Sequence, residues 1–127
     1  MFSFFKRINL IILGTLGFNR GPPIQNIGNV DVMFKRKDGV LELLVVTASR
    51  LDGSPETQKL VLDKIQPYLD FLQSEDCKNE FGELSQEQKL VVLRCYEEPN
   101  AAMLAFFPRV AQWVRDSGAT FEVRHGR

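Results

Sequence analysis

The sequence predicts an α+β fold, a four-stranded mixed sheet in the order ββαβαβ with two helices on one face. Three observations carry this. Two short runs, VLELLVVTA (Val40 to Ala48) and LVVLRCY (Leu90 to Tyr96), are apolar at almost every position, as strands are when both sheet faces are covered. Each is followed by a helix-start signature and then by apolar residues at helical spacing. An Asp38-Gly39 pair precedes the first run, and an alternating TFEVRH closes the pattern.

The chain opens with FFKRINLIILGTLGF, Phe4 to Phe18, ahead of a Gly21-Pro22-Pro23 break. Its uncharged part, Ile8 to Phe18, is eleven residues long, against roughly 20 for a bilayer-spanning helix. Lys6 and Arg7 give it the basic start of a signal peptide, but Thr15-Leu16-Gly17 followed by Phe18-Asn19-Arg20 is a poor cleavage site. Residues 1–23 therefore read as an apolar extension, and residues 24–127 as a single α+β domain. The expected location is cytoplasmic, with export as the alternative; membrane contact through residues 4–18 is not favoured.

Ile27, Val30, Val32 and Phe34 fall on or near one face of a first strand, with Asp31 and Lys35 opposite. Asp38-Gly39 then supplies a hairpin turn, because glycine takes the positive φ that the turn demands. Val40 to Ala48 follows as a central strand. Ser54 can cap the next helix, Pro55 suits its first turn and Glu56 its positive end. Val61, Ile65, Tyr68, Leu69 and Leu72 form its buried stripe. Pro67 cannot donate to the carbonyl of Asp63, which predicts a kink. Ser74 to Glu87 reads as an acidic loop with Cys77 in it, whereas Cys95 reads as core.

After the second central strand, Glu98-Pro99-Asn100 opens a helix with Met103, Phe106, Phe107, Val110 and Val114 inward and Pro108 in its middle. Ser117-Gly118 ends it. In the last strand Phe121 and Val123 point in, Glu122 and Arg124 out. Right-handed crossovers give strand order 1-2-3-4 with both helices on one face. The apolar residues of the other face then need separate cover: the N-terminal segment, which is the preferred reading, a second copy, or a partner.

LDGSPETQKLVLDKIQPYLDFLQSE, Leu51 to Glu75, resembles a family of small uncharacterised bacterial domains. The similarity lies in Leu51-Asp52-Gly53-Ser54 and in Val61, Lys64, Ile65, Tyr68, Leu69 and Phe71 of the helix. Glu97-Glu98-Pro99 and Phe121 to Val123 continue it over about residues 24–125. The resemblance implies the hairpin-first α+β fold and no established chemistry. Pro67 departs from the family's helix.

Net charge is zero, with 16 basic and 16 acidic residues, which argues against nucleic acid held by counterion release. The charge is nonetheless polarised. Residues 1–37 carry six basic groups against Asp31, and residues 70–98 carry eight acids against Lys78, Lys89 and Arg94. Two separated cysteines make neither a disulfide scaffold nor a zinc site, and nothing calls for a metal or cofactor. No phosphate loop, nucleophile elbow or Cys/His couple occurs. His125, the one histidine, stands near Glu122 at the chain's end.

The expected function is a protein-interaction module without catalytic activity, in its most specific form a bacterial immunity protein that neutralises a toxin. Its partner-binding residues are Asp70, Glu75, Asp76, Glu80 and Glu83, and its partner is a basic toxin domain, another protein or a second copy. The alternative is a small enzyme or ligand-binding domain using Arg50, Asp52 and Ser54, which sit where open α/β sheets often bind ligands.

Overall fold

The computed structural model describes residues 23–125 apart from Asn26. The expected apolar extension lies outside the described residues except for Pro23. Four strands form one sheet: β1 (Val32–Lys35), β2 (Leu41–Val46), β3 (Lys89–Cys95) and β4 (Thr120–His125). Their order is β1-β2-β3-β4, with β1 antiparallel to β2, and β2, β3 and β4 mutually parallel. The helices are α1 (Pro55–Leu72), α2 (Glu75–Phe81) and α3 (Ala101–Asp116), with a 3-10 turn at Gln86–Gln88. The ββαβαβ order and the mixed sheet are as the sequence predicts, with α2 and the 3-10 turn added.

The turn at Asp38-Gly39 forms as its chemistry requires. Gly39 has φ +94°, Arg36 N donates to Val40 O at 2.8 Å, and the Asp38 carboxylate accepts from Val40 N at 3.1 Å. Because strand side chains alternate, Leu41, Leu43 and Val45 of β2 and Val91, Leu93 and Cys95 of β3 share one face. Val61, Ile65, Tyr68 and Leu69 of α1 and Met103, Phe106, Val110 and Val114 of α3 pack there, forming one core. Each fully buried leucine or valine contributes about 1.5–3 kcal/mol. Leu44, Leu90 and Val92 make a separate cluster on the opposite face, joined by Val32, Val40 and Val46.

The first strand is shorter than its apolar pattern. Ile27 is 44 % exposed, and Val30 is buried in the helix-side core. These two precede the strand, which starts at Val32, so they are not bound to its period-two alternation. Both helices run unbroken through their prolines, without the expected interruption. Pro67 is half-buried and Pro108 exposed, and the carbonyl freed by Pro108 belongs to Leu104, itself exposed; water can satisfy such a group while the inward stripe holds the helix.

The expected acidic loop is largely helical. Ser74 caps α2 by accepting from Cys77 N at 3.2 Å, Glu75 and Asp76 occupy its first turn, and Gly82 at φ +80° ends it. Cys77 is 2 % exposed rather than in a polar loop, and the Phe71 and Phe81 rings meet edge to face at 6.5 Å. Seven residues are too few to be stable alone; docking on α1 makes the helix.

Candidate partner-binding surface

Three polar constellations bear on function. The first is the Arg50–Ser54 loop at the C-terminal end of β2. Arg50 Nε donates to Glu97 Oε1 at 2.8 Å, and a second guanidinium nitrogen reaches the same oxygen. Asp52 Oδ1 accepts from Thr57 Oγ1 at 2.6 Å and from Ser54 N at 2.9 Å. The Thr57 hydroxyl, with Ser54, lowers the Asp52 carboxyl to about 2. Ser54 caps α1, and Asn100, the cap of α3, donates to Asp52 O at 3.2 Å. Gly53 (φ +81°) lies so close to α3 that an added Cβ would meet Ala102 Cβ at 2.6 Å. The loop's polar groups are thus committed to one another and to two helix starts.

The second constellation is buried. Lys64 and Asp31, 0 % and 2 % exposed, pair at 2.6 Å. The Lys64 ammonium also donates to the carbonyls of Gln25 (3.0 Å) and Asn29 (2.9 Å). Asp31 Oδ2 accepts from Val46 N at 3.1 Å, while Tyr68 Oη accepts from Asp31 N at 3.0 Å and donates to Leu44 O at 2.7 Å. Burial pushes Asp31 up and Lys64 down, and the hydrogen bond between them opposes both shifts. Burial, then the nearby Asp31 charge, pushes the Tyr68 phenol up as well. The network fastens the 23–31 segment to β2 and α1. Residue spacing held a signal for it: Lys64 lies on the Val61–Tyr68 stripe, three residues after Val61 and four before Tyr68, where a lysine needs a buried partner.

On the helix-free face a smaller ionic group includes Glu42, 3 % exposed. Arg36 Nη1 donates to it at 2.8 Å and Arg124 Nη2 at 3.1 Å. Burial alone would raise the Glu42 carboxyl, but Arg124 and Arg36 outweigh it and hold the group below its ordinary value. Glu122 is bonded to Arg124 at 2.6 Å. His125, three residues from Glu122 along a strand, projects from the other face, so the two form no acid/base pair.

The third constellation is the acidic surface of α1 and α2. Asp70 and Asp76 flank a hollow of about 310 Å³ whose other walls are Gly28, Val30, Pro67, Phe71 and Ser74. Asp70 accepts from Gln66 at 3.0 Å, and no lysine or arginine among the described residues pairs with Asp70 or Asp76. Glu75 and Glu83 instead share Lys78, at 3.8 and 3.3 Å; the hydrogen bond that Lys78 donates to Glu83 raises the Lys78 ammonium. Glu80 stands further along α2 with one carboxylate oxygen buried and without a hydrogen bond. Folding thus brings Asp70 and Asp76 to one concavity, while Glu75 and Glu83 pair with Lys78.

The geometry defines a small α+β domain with a four-stranded mixed sheet. Among the described residues no carboxylate, thiol and imidazole cluster is arranged for a metal ion, and no helix is long and apolar enough to cross a membrane. The chain belongs to a family of unknown function, DUF6572, whose match spans residues 23–127. No curated protein and no solved structure matches it.

Proposed function

We propose that this chain is a protein-interaction module that receives a basic segment of a partner protein in the hollow beside Asp70 and Asp76. The observation that supports it is the joining of two carboxylates, without cationic partners among the described residues, to an apolar floor of Val30, Pro67 and Phe71. An arginine or lysine suits such a place, its aliphatic stem on the floor and its head at the carboxylates. Glu75, Glu80 and Glu83 extend the negative field over α2, which steers a basic partner toward the site. In its most specific form the partner is a basic toxin domain and the chain an immunity protein. The two buried free thiols accord with a reducing, cytoplasmic setting. The Arg50–Ser54 loop is the weaker candidate, because its side chains are already paired.

The test is a pull-down from the native cell with mass spectrometry, run in parallel with the wild-type chain and an Asp70→Lys/Asp76→Lys variant. A stoichiometric basic protein that the wild type retains and the variant loses is the expected result. A partner held equally by both would move the interface elsewhere; a wild-type chain that recovers no stoichiometric partner would sink the interaction reading.

A further inference from the structure

The sheet has an apolar face that no described helix covers. Val32 of β1, Leu44 and Val46 of β2, and Leu90 and Val92 of β3 lie on it, on the side away from α1 and α3. A sheet face left to water carries polar residues in alternation, yet here the central positions are aliphatic. Val92 is 0 % exposed and Leu44 and Leu90 are 8 % exposed, whereas Phe34 at the β1 edge is 45 % exposed, so the centre of the face is withdrawn from water although the described apolar members of its cluster are the strands' own side chains and Val40. Across the same face Arg124 of β4 reaches Glu42 of β2 at 3.1 Å, spanning β3, and Arg36 meets Glu42 at 2.8 Å.

Where the chain enters the fold indicates what covers this face. Val46 N and Ala48 N are two residues apart, so they point the same way, toward the β1 side of β2. Asp31 accepts from the first at 3.1 Å and the Pro23 carbonyl from the second at 2.7 Å. Pro23 therefore sits beside the end of β2, at the level of the sheet, while the next residue, Ile24, is buried in the helix-side core. Asn19 to Pro22 can span up to ~13 Å, more than the ~10 Å between packed layers. The eleven uncharged residues Ile8 to Phe18 reach about 16 Å as a helix or about 36 Å extended. Four strands are about 14 Å across, so either form is long enough.

We propose that residues 8–18 of the same chain pack on the Val32, Leu44, Val46, Leu90 and Val92 face as its second layer. Tethering favours this occupant over a second copy. A segment held by a four-residue spacer meets the face at an effective concentration on the order of mM, far above that of a free protein at micromolar levels. A membrane is the less suitable host for eleven apolar residues, about half of what a span requires.

The test uses the full chain with p-benzoylphenylalanine in place of Leu13, and separately of Leu16, irradiated at micromolar concentration and mapped by mass spectrometry. The expected adducts are within one chain and fall on the peptides of β1, β2 and β3 that carry Val32, Leu44 or Val92. A full chain with Leu44→Asp should then lose at least half of that adduct and be cleaved in residues 1–22 several-fold faster by trypsin at Lys6, Arg7 and Arg20. Circular dichroism on the same sample checks that the domain stays folded. Adducts joining two chains would overturn the proposal in favour of a second copy. Adducts on α3 near Trp113, or adducts that appear only with lipid vesicles, would overturn it too. So would an absence of adducts with trypsin cutting the wild-type segment as fast as a free peptide.

Discussion

Replacing Lys64 with methionine tests the buried network directly. Methionine keeps the length and apolar stem of lysine but removes the ammonium, leaving the Asp31 carboxylate 2 % exposed without its cation. The Gln25 and Asn29 carbonyls also lose their donor. Breaking one side of a buried ion pair costs about 3–5 kcal/mol, which for a domain near 100 residues lowers Tm by roughly 12–20 °C. Urea unfolding followed by tyrosine and tryptophan fluorescence measures it. The sign of the pH dependence follows from Asp31. Burial already raises its carboxyl, and losing Lys64 raises it further, so the folded variant keeps a proton that the unfolded chain has released. The variant's deficit should therefore be small near pH 4 and grow as pH rises through the window between the ordinary carboxylate value and the raised one. Adding Asp31→Asn should restore at least half of the loss at pH 7, because the amide buries no charge and can still accept from Val46 N. A single variant within 1 kcal/mol of wild type, or a double variant no more stable than the single, would refute the reasoning.

Other consequences are measurable. Thr57→Val removes the hydroxyl that donates to Asp52, so the Asp52 carboxyl, about 2 in the wild type, should return toward its ordinary value in an NMR titration. Because the folded value is depressed, the stability it adds is present above the ordinary carboxylate pKa and fades as pH falls toward 2; an unmoved Asp52 would contradict the assigned bond. Gly53→Ala should destabilise the fold by about 1–3 kcal/mol, from positive φ and from its clash with Ala102; thermal melting reads it, and an unchanged Tm would show the loop to be slack. Burial raises the Cys77 thiol and takes Cys95 to about 11. Both should resist a disulfide-exchange reagent at pH 7.5 and react promptly in denaturant; fast labelling of the native chain would count against their placement.

Much of this molecule is local chemistry written along the chain. Asp38-Gly39 makes its turn through one glycine at positive φ, Ser54 and Asn100 cap their helices within three residues, and the largely apolar runs of β2 and β3 mark central strands. Those features depend on neighbours in sequence, so residue order alone determines them. The helices' continuity through Pro67 and Pro108 and the existence of α2 do not, because each depends on a surface supplied from elsewhere. Alone, Ser74 to Phe81 is a charged stretch with marginal helicity; its Cys77 and Phe81, one turn apart, become meaningful only against Phe71 and the core. The acidic residues were visible as a string, but only folding separates Asp70 and Asp76, at a hollow, from Glu75 and Glu83, which share Lys78. Lys64 shows the boundary most plainly. Its place on the α1 stripe marks it as inward, yet its partner Asp31 is 33 residues away, and a charge can be buried only where tertiary packing brings such a partner within hydrogen-bonding distance.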